Sequence, residues 1–283
     1  MSTPPRPAGP VAAVAAGLKK ARNWQGHWRR MLLSDHYRRT WRMLERARNL
    51  NEGGVPLEQR MMEHLREVDR LAAMLPMRPV GESADDEIHM LCGRKHLGMG
   101  CLALWSFLRW IPFDVAVYVH SDGTTTPEDV QTWRDRFPNL NVVLPEEMKP
   151  IRDGLLERGP YPHLRKFADV NLYSPKLIDF HLVGRGDRIV MLDSDVLYFQ
   201  RPDELLRAWE AARPARERIF TTFNDNFDAY FVPLNEVERV VGRRPVARFN
   251  AGMTIVPKFT DADFRDVESI MARILQSSEN HLH

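Results

Sequence analysis

The sequence predicts an α/β domain in which a mostly parallel sheet is flanked by helices. Short apolar segments alternate with amphipathic ones through most of the chain, which is typical of strand–helix units in a parallel sheet. The 283 residues are enough for one large domain or two small ones. Apolar residues make up 43% and charged residues 28%, as in a globular protein. No apolar run approaches the about 18 residues of a membrane span, so we do not expect an integral membrane protein.

The charge distribution predicts an N-terminal extension, residues 1–80, that differs from the body. Residues 1–50 contain eleven Lys or Arg and two acids, although the whole chain carries a net charge of only +2. That net charge is low for a dedicated nucleic-acid binder, so nucleic acid is not an expected partner. Two cysteines cannot form a disulfide scaffold, and Cys92 and Cys101 are expected to be reduced, buried thiols.

Within this extension, Met1–Pro10 holds four prolines and predicts a disordered tail. Val11–Leu18 is apolar but lacks a charged leader, which argues against a secretory signal. Residues 19–50 predict a basic helix with tryptophans, which either docks on the body or lies on an anionic membrane surface. A second helix is expected over Leu57–Leu75, and Met77–Asp86 is the expected domain boundary. We therefore expect a cytoplasmic protein, with peripheral contact to the inner face of a membrane as the alternative.

The body, residues 81–283, contains the alternating elements in order. Strands are expected at Ile88–Cys92, Val115–His120, Asn141–Leu144, Arg188–Leu192, Arg218–Phe223 and Met253–Val256. Helices are expected at Gly98–Trp110, from Pro127 to about Phe137, at Pro175–Leu182 and at Pro202–Arg213. Thr126 is the expected cap of the second helix, because Pro127 follows it and two acids stand in the first turn. Ligands of such sheets bind beyond the carboxyl ends of the strands.

Two aspartates directly follow the fourth expected strand. On an extended chain Asp193 and Asp195 would point to the same side, where two carboxylates repel each other unless a cation or a proton intervenes. Oxygen ligands at a strand end suit Mg²⁺ or Mn²⁺, which keep positions open for phosphate oxygens. The pair therefore predicts a divalent-metal site, and the alternative is two solvated loop aspartates. A second Asp-x-Asp, residues 261–263, lies in a polar segment typical of a helix cap.

These residues stand in an order that resembles a known family. An apolar strand, Asp-x-Asp and a following Pro-Asp-Glu-Leu-Leu are preceded by Lys176, seventeen residues before Asp193, and followed by an Arg248–Met253 segment containing Phe-Asn-Ala-Gly. Over residues 87–265 this pattern resembles glycosyltransferases of the nucleotide-diphospho-sugar transferase fold, called GT-A. The closest likeness is to the family of glycogenin and the bacterial lipopolysaccharide galactosyltransferases.

The resemblance implies a metal-dependent transfer of sugar from a nucleotide-diphosphate sugar to a glycan, lipid or protein acceptor. It implies that Asp195 ligates Mn²⁺ or Mg²⁺ and that Asp193 ligates the ion or holds the ribose. Lys176 would steady the diphosphate or the sugar, with a surface lysine as the alternative. Asn250, Ala251 and Gly252 would form the platform of the donor sugar, with an ordinary turn before a strand as the alternative.

The nucleotide is expected beyond the first two strands. Arg94 and Lys95 could meet phosphates and His96 could stack on the base, because this loop holds the nucleotide in the resembled fold. Asp122, after the second strand, either touches the nucleotide or closes a turn. The acidic residue that usually recognises the base in the family is not evident, so the identity of the base stays open.

Two features of the family are not matched. Its late metal-binding histidine has no counterpart, because His281 and His283 come too early, and part of the acceptor half is expected to be missing. Two other functions therefore stay open. One is a haloacid-dehalogenase-like phosphatase, which also places Asp-x-Asp after a strand and uses the first aspartate as nucleophile. The other is a non-catalytic, membrane-docked protein that binds a nucleotide sugar.

Overall fold

A computed structural model describes residues 60, 63–81, 86–212, 220–224 and 234–279. In these residues six strands form one sheet in the order β3-β2-β1-β4-β6-β5. The strands are β1 (Asp86–Leu91), β2 (Ala116–His120), β3 (Asn141–Val143), β4 (Arg188–Leu192), β5 (Thr221–Asn224) and β6 (Phe249–Pro257). Strands β1 to β4 pair in parallel, and β6 runs antiparallel to both β4 and β5. The expected fold class, a mostly parallel sheet flanked by helices, is confirmed.

The helices follow the strands in the expected alternation. They are α1 (63–73), α2 (Leu97–Leu108), α3 (Pro127–Arg136), α4 (Pro145–Arg158), α5 (Pro162–Val170), α6 (Ser174–Leu177), α7 (Asp203–Ala212), α8 (Leu234–Val241) and α9 (Asp261–Glu279). Helix α3 begins as expected at Thr126, whose side chain accepts from Asp129 N while the Asp129 carboxylate accepts from Thr126 N.

Two apolar clusters hold the layers together. The larger one joins the sheet to α2, α3 and α7, and Ile88, Phe107, Val117, Trp133 and Trp209 are almost completely buried in it. The smaller one joins α4, α5 and α6 to α9 through a separate set of buried side chains, among them Leu155, Leu164, Ile178 and Phe264. The second cluster places α6, and with it Lys176, beside the sheet edge where β4 ends.

Two expected elements differ from the observed ones. Strand β6 begins at Phe249 instead of Met253, because it pairs with β4 on one side and β5 on the other. Residues Asn250–Gly252 therefore belong to a strand, and not to the ordinary turn that was given as the alternative. The expected helix Pro175–Leu182 is also wrong as one element, since it divides into the short helix α6 and a 3-10 turn, Asp179–His181.

The described part of the N-terminal extension packs on the body. Ala72 and Val80 belong to the larger apolar cluster. Arg78 N donates to Arg136 O at 2.8 Å, and Val80 N donates to Pro138 O at 3.0 Å. The proline-rich tail and the basic helix expected over 19–50 lie outside the described residues. Within the residues that are described, no helix is both long enough and apolar enough to cross a membrane.

Candidate functional site at the carboxyl edge of the sheet

The carboxyl ends of β1, β2 and β4 meet at one edge of the sheet because these strands are parallel neighbours. Past the end of β1, Cys92 N donates to His120 O at 2.9 Å, which continues the β1–β2 ladder. The Cys92 thiol donates to His96 O at 3.4 Å, within the turn that follows β1. Burial raises the pKa of the Cys92 thiol to about 12, and nearby Asp122 adds to the shift. Cys92 is therefore a packed thiol and not a nucleophile.

Asp193, Lys176 and Gly252, three of the site residues predicted from the sequence, lie together in the structure. Lys176 Nζ, arriving from α6, contacts Asp193 Oδ1, and both side chains are largely but not fully buried. Asp193 N donates to Gly252 O at 2.9 Å, so β6 continues alongside the aspartate. A Cβ atom on Gly252 would overlap Asp193 Oδ2, and only glycine leaves that carboxylate its place. The site thus joins a carboxylate, an ammonium group and an open backbone from three separate elements.

The extended backbone that was expected to place Asp193 and Asp195 on one side is not observed. Both residues nevertheless lie at this edge of the sheet. Strand β4 ends at Leu192, and the chain then turns, with Val196 N donating to Asp193 O at 3.5 Å. The alternation of an extended strand therefore does not set the two side-chain directions. Asp193 is half-buried against Lys176, whereas Asp195 is exposed at the tip of the turn.

Two hydrogen bonds hold the segment that precedes Gly252. Asn250 Oδ1 accepts from Gly252 N at 2.7 Å, and Asn250 O accepts from Thr222 Oγ1 at 3.2 Å. Ala251, which stands between Asn250 and Gly252 in the chain, is exposed. The Asn250 side-chain oxygen thus fixes the backbone beside Asp193.

The residues expected to hold the nucleotide after β1 lie at the rim. Arg94, Lys95 and His96 form one 3-10 turn with exposed side chains. Arg94 N donates to Thr124 Oγ1 at 2.8 Å, and the Arg94 guanidinium lies 3.8 Å from the Asp129 carboxylate. Their nucleotide contacts stay a prediction, because their side chains do not line the neighbouring cleft.

Asp122 closes a turn, which is one of the two roles that were weighed for it, and its contact with the nucleotide stays a prediction. Its Oδ1 accepts from Thr124 N at 2.9 Å and from Thr124 Oγ1 at 2.6 Å, which closes the turn after β2. The same residue lines a cleft with about 490 Å³ of empty space. That cleft also has Ser174 and Pro175 in its wall, and the next residue along the chain is Lys176.

The cleft contains polar residues that the sequence analysis missed. His120, Arg152, Asn171 and Asp179 line it together with apolar neighbours. Burial raises the pKa of Asp179, and the charge of Arg152, whose Nε lies 3.6 Å from Asp179 Oδ1, opposes that shift. A signal for Asp179 was present, because it is a single carboxylate within the apolar segment Leu177–Leu182. His120 gave a weaker one, as the last residue of a buried strand.

The donor set fits a divalent ion that shares its shell with a substrate. Mg²⁺ and Mn²⁺ bind through one or two carboxylates and complete their shells with water and phosphate oxygens. Asp195 and the half-buried Asp193 are two such carboxylates, and the Lys176 ammonium beside Asp193 favours a further anionic group. Among the described residues no group of three or more His, Cys, Asp or Glu forms a closed metal cage.

Comparisons with known proteins give likenesses of fold only. No family model and no curated protein matches the chain. Mouse xyloside xylosyltransferase 1 is 13% identical over 68% of this chain and 72% of that one, with a TM-score of 0.44. The galactosyltransferase LgtC, solved with donor and acceptor sugar analogues, is 12% identical over 68% and 69%, with a TM-score of 0.39.

A third similar structure is the mannosyltransferase PcManGT from Pyrobaculum calidifontis, solved with GDP-Man and Mn²⁺. It is 15% identical over 74% of this chain and 59% of that one, with a TM-score of 0.35. These three solved structures are glycosyltransferases, and at these identities and TM-scores the likeness does not extend to the activity of this chain.

Proposed function

We propose that this chain is a metal-dependent glycosyltransferase that uses a nucleotide-diphosphate sugar. The observation that carries the proposal is the convergence of Asp193, Lys176 and Gly252 at the carboxyl edge of the sheet. These residues come from β4, α6 and β6, and each was expected at such a site from the sequence. A paired carboxylate and ammonium beside an unobstructed backbone suit the binding of a phosphorylated ligand.

The reaction that suits this site breaks a glycosidic bond and releases a nucleoside diphosphate. Negative charge grows on the departing diphosphate, and groups of positive charge held ready for it lower the barrier. A Mn²⁺ or Mg²⁺ ion at Asp193 and Asp195 would supply Lewis-acid stabilisation of that diphosphate. Lys176 adds a second positive charge, and its contact with Asp193 keeps the ammonium at the site before the donor binds.

The backbone of β6 supplies the side of the site that faces the sugar. Because Gly252 has no side chain, the sugar can approach the strand closely beside Asp193. The hydrogen bond from Gly252 N to Asn250 Oδ1 holds the segment in one conformation. We assign Asn250, Ala251 and Gly252 to the sugar platform on this basis.

Three further assignments stay predictions. The acceptor is a glycan, lipid or protein. The chain is cytoplasmic, and the basic segment 19–50 either docks on the body or makes peripheral contact with the inner face of a membrane. Residues 1–80 form the extension and residues 81–283 the transferase domain.

The proposal is tested with the purified full chain and a set of nucleoside diphosphates and their sugars, with and without Mn²⁺. Thermal stabilisation that needs both the metal and a nucleotide, together with slow metal-dependent hydrolysis of one sugar nucleotide, is the expected result. Asp195→Asn should lower the turnover of that donor by about 100-fold or more and change the unfolding free energy by less than about 0.5 kcal/mol, because the side chain is exposed.

Asp135→Asn, at an exposed position on α3, is the matched control and should retain full activity. Binding of metal and nucleotide without transfer or hydrolysis would instead support a non-catalytic binding protein. Hydrolysis of p-nitrophenyl phosphate without turnover of any sugar nucleotide would support the phosphatase. Full activity of Asp195→Asn would contradict the metal role given to this residue.

A further inference from the structure

Two large apolar side chains are exposed beside the candidate site. Leu197 and Phe199, the second and fourth residues after Asp195, are 44% and 87% exposed. The side chain between them faces the body, because Tyr198 packs against the larger apolar cluster with its ring centroid 4.8 Å from that of Phe107. Leu197 and Phe199 therefore project away from the body, on the other side of this segment.

Helix α2 and the residue that follows it hold the backbone of this segment. Tyr198 N donates to Ser106 Oγ at 3.0 Å. Arg109 Nη2 donates to Tyr198 O at 3.0 Å and to Phe199 O at 3.2 Å. The exposure of the two apolar side chains is therefore set by hydrogen bonds to their backbone, and it does not result from a loose loop.

Arginine and tryptophan side chains adjoin the two apolar ones. The Arg109 guanidinium carbon lies 4.5 Å from the ring centroid of Trp110 and 5.9 Å from that of Trp105. Arg109 is exposed, and both tryptophans are partly buried. At a membrane–water interface, aromatic rings and basic groups stay at the level of the headgroups while apolar side chains enter the acyl region. The arrangement around Phe199 matches this distribution.

The size of this apolar surface favours a lipid partner over a protein partner. A stable protein–protein interface takes about 20–30 residues from each side. Among the described residues, the strongly exposed apolar part of this surface is two projecting side chains, Leu197 and Phe199. Such side chains gain free energy by insertion into a bilayer without a complementary surface on the partner, because the acyl region accepts any apolar shape.

The charge of the chain indicates which lipids this surface meets. Arg201 next to it pairs with Asp203 at 3.0 Å and adds little net charge, so Arg109 is the main cation at the two apolar side chains. Residues 1–50, however, contain eleven Lys or Arg and two acids. Anionic lipids attract a basic segment of this kind, and inserted apolar side chains add to the attachment.

We propose that Leu197 and Phe199 insert into a bilayer that contains anionic lipid. Because Asp195 precedes Leu197 by two residues, attachment at this surface places the candidate metal site beside the headgroups. The inference goes beyond the proposed function, since binding to vesicles requires neither a metal nor a sugar donor. A failure of one therefore leaves the other standing.

The test is flotation of the purified full chain with vesicles of phosphatidylglycerol or of phosphatidylcholine. The chain should bind the phosphatidylglycerol vesicles and bind the neutral ones more weakly. The double variant Leu197→Ser/Phe199→Ser should lower the partition coefficient for phosphatidylglycerol vesicles about tenfold or more, because the transfer of two apolar side chains is lost. Phe220→Ser is the matched control and should leave it unchanged, since Phe220 is 60% exposed and precedes β5, which β6 separates from β4.

Sedimentation and urea unfolding of the double variant distinguish other occupants of this surface. Both should match the unmodified chain, because the two side chains are exposed. A change from dimer to monomer would show an interface between copies, and a lower unfolding midpoint would show that another part of the chain covers the surface. Either result would overturn the proposal, as would no binding to phosphatidylglycerol vesicles or an unchanged partition coefficient in the double variant. Equal binding to both kinds of vesicle would overturn the requirement for anionic lipid.

Discussion

At the scale of single residues, the site depends on the lack of a side chain at Gly252 as much as on the side chains of Asp193 and Lys176. Asp193 Oδ2 occupies the space where a Cβ on Gly252 would stand, and Asp193 N donates to Gly252 O. Lys176 holds the other carboxylate oxygen. The position of the Asp193 carboxylate is therefore set from two sides, by close approach of a backbone and by an ion pair.

The close approach predicts the effect of a single methyl group. Gly252→Ala should push the Asp193 carboxylate away from Lys176 and lower the proposed transferase activity, and overpacking should cost about 1–3 kcal/mol of unfolding free energy. Gly154→Ala is the control, because a Cβ there meets no atom within 4 Å. Since Gly154 lies inside α4, alanine should stabilise the fold by about 0.5–1 kcal/mol and leave activity unchanged. Donor turnover and urea unfolding of both variants check this, and a fully active Gly252→Ala of wild-type stability would contradict it.

At the scale of elements, apolar runs were enough to predict the strands and helix α2, and Thr126-Pro127 was enough to predict the start of α3. Helix α4 could not be predicted in this way, because Pro150 and Gly154 inside it are ordinarily helix breakers. It forms because Glu147 caps its start and Met148, Leu155 and Leu156 are buried. The full length of β6 was missed for a similar reason. Pairing with two neighbouring strands is a long-range property that leaves no mark on the local sequence.

The residues of the candidate site differ in the same way, because some are marked by the local sequence and others only by long-range contacts. Asp193, Lys176 and Gly252 could be predicted, since their spacing follows strand ends and a family resemblance. The polar lining of the cleft could not, because His120, Arg152 and Asp179 come from three separate elements. Only the folded chain shows that two of these residues have buried acceptor atoms in one cleft.

Helix α5 depends on an element about one hundred residues away. Glu268 of α9 accepts from His163 N at 3.1 Å and from Leu164 N at 2.9 Å, at the start of α5. The same carboxylate contacts His163 Nδ1 at 2.6 Å. Tyr161, the N-cap residue of α5, makes no side-chain capping hydrogen bond. The Glu268 carboxylate therefore caps this helix in its place.

Glu268→Ala should therefore lower the unfolding free energy by about 2–3 kcal/mol, since two backbone donors lose a charged acceptor. The control is Asp266→Ala on the same helix, where an exposed ion pair with Arg243 should contribute less than about 1 kcal/mol. Urea unfolding of both variants measures the difference. Equal losses would show that the distant capping of α5 contributes nothing beyond an ordinary surface pair.

At the scale of the whole molecule, two buried histidines, His89 on β1 and His120 on β2, make the fold sensitive to acid. His89 lies within β1 and His120 is the last residue of β2, and both side chains are almost completely buried. Burial lowers the pKa of both rings, assisted for His89 by the charge of Lys258 and for His120 by His89. The unfolded chain binds protons at these histidines near pH 6.5 and the folded chain does not, so stability is lost as the pH falls from that value.

Between pH 7.5 and pH 5.5 the two rings together should lower the unfolding free energy by up to about 3 kcal/mol. This interval lies above the ordinary titration of solvated carboxylates, so the loss of stability across it comes mainly from buried histidines, and Asp179, whose pKa is raised by burial, opposes that loss. His89→Gln can donate to Glu87 and accept from His120, and with one depressed histidine removed the loss should fall to about half. His96→Gln, at the exposed rim, should keep the wild-type pH dependence because that ring is solvated in both states. A stability that is flat across the interval would mean that His89 and His120 bind protons in the folded protein as readily as in the unfolded chain, which would contradict their lowered pKa values.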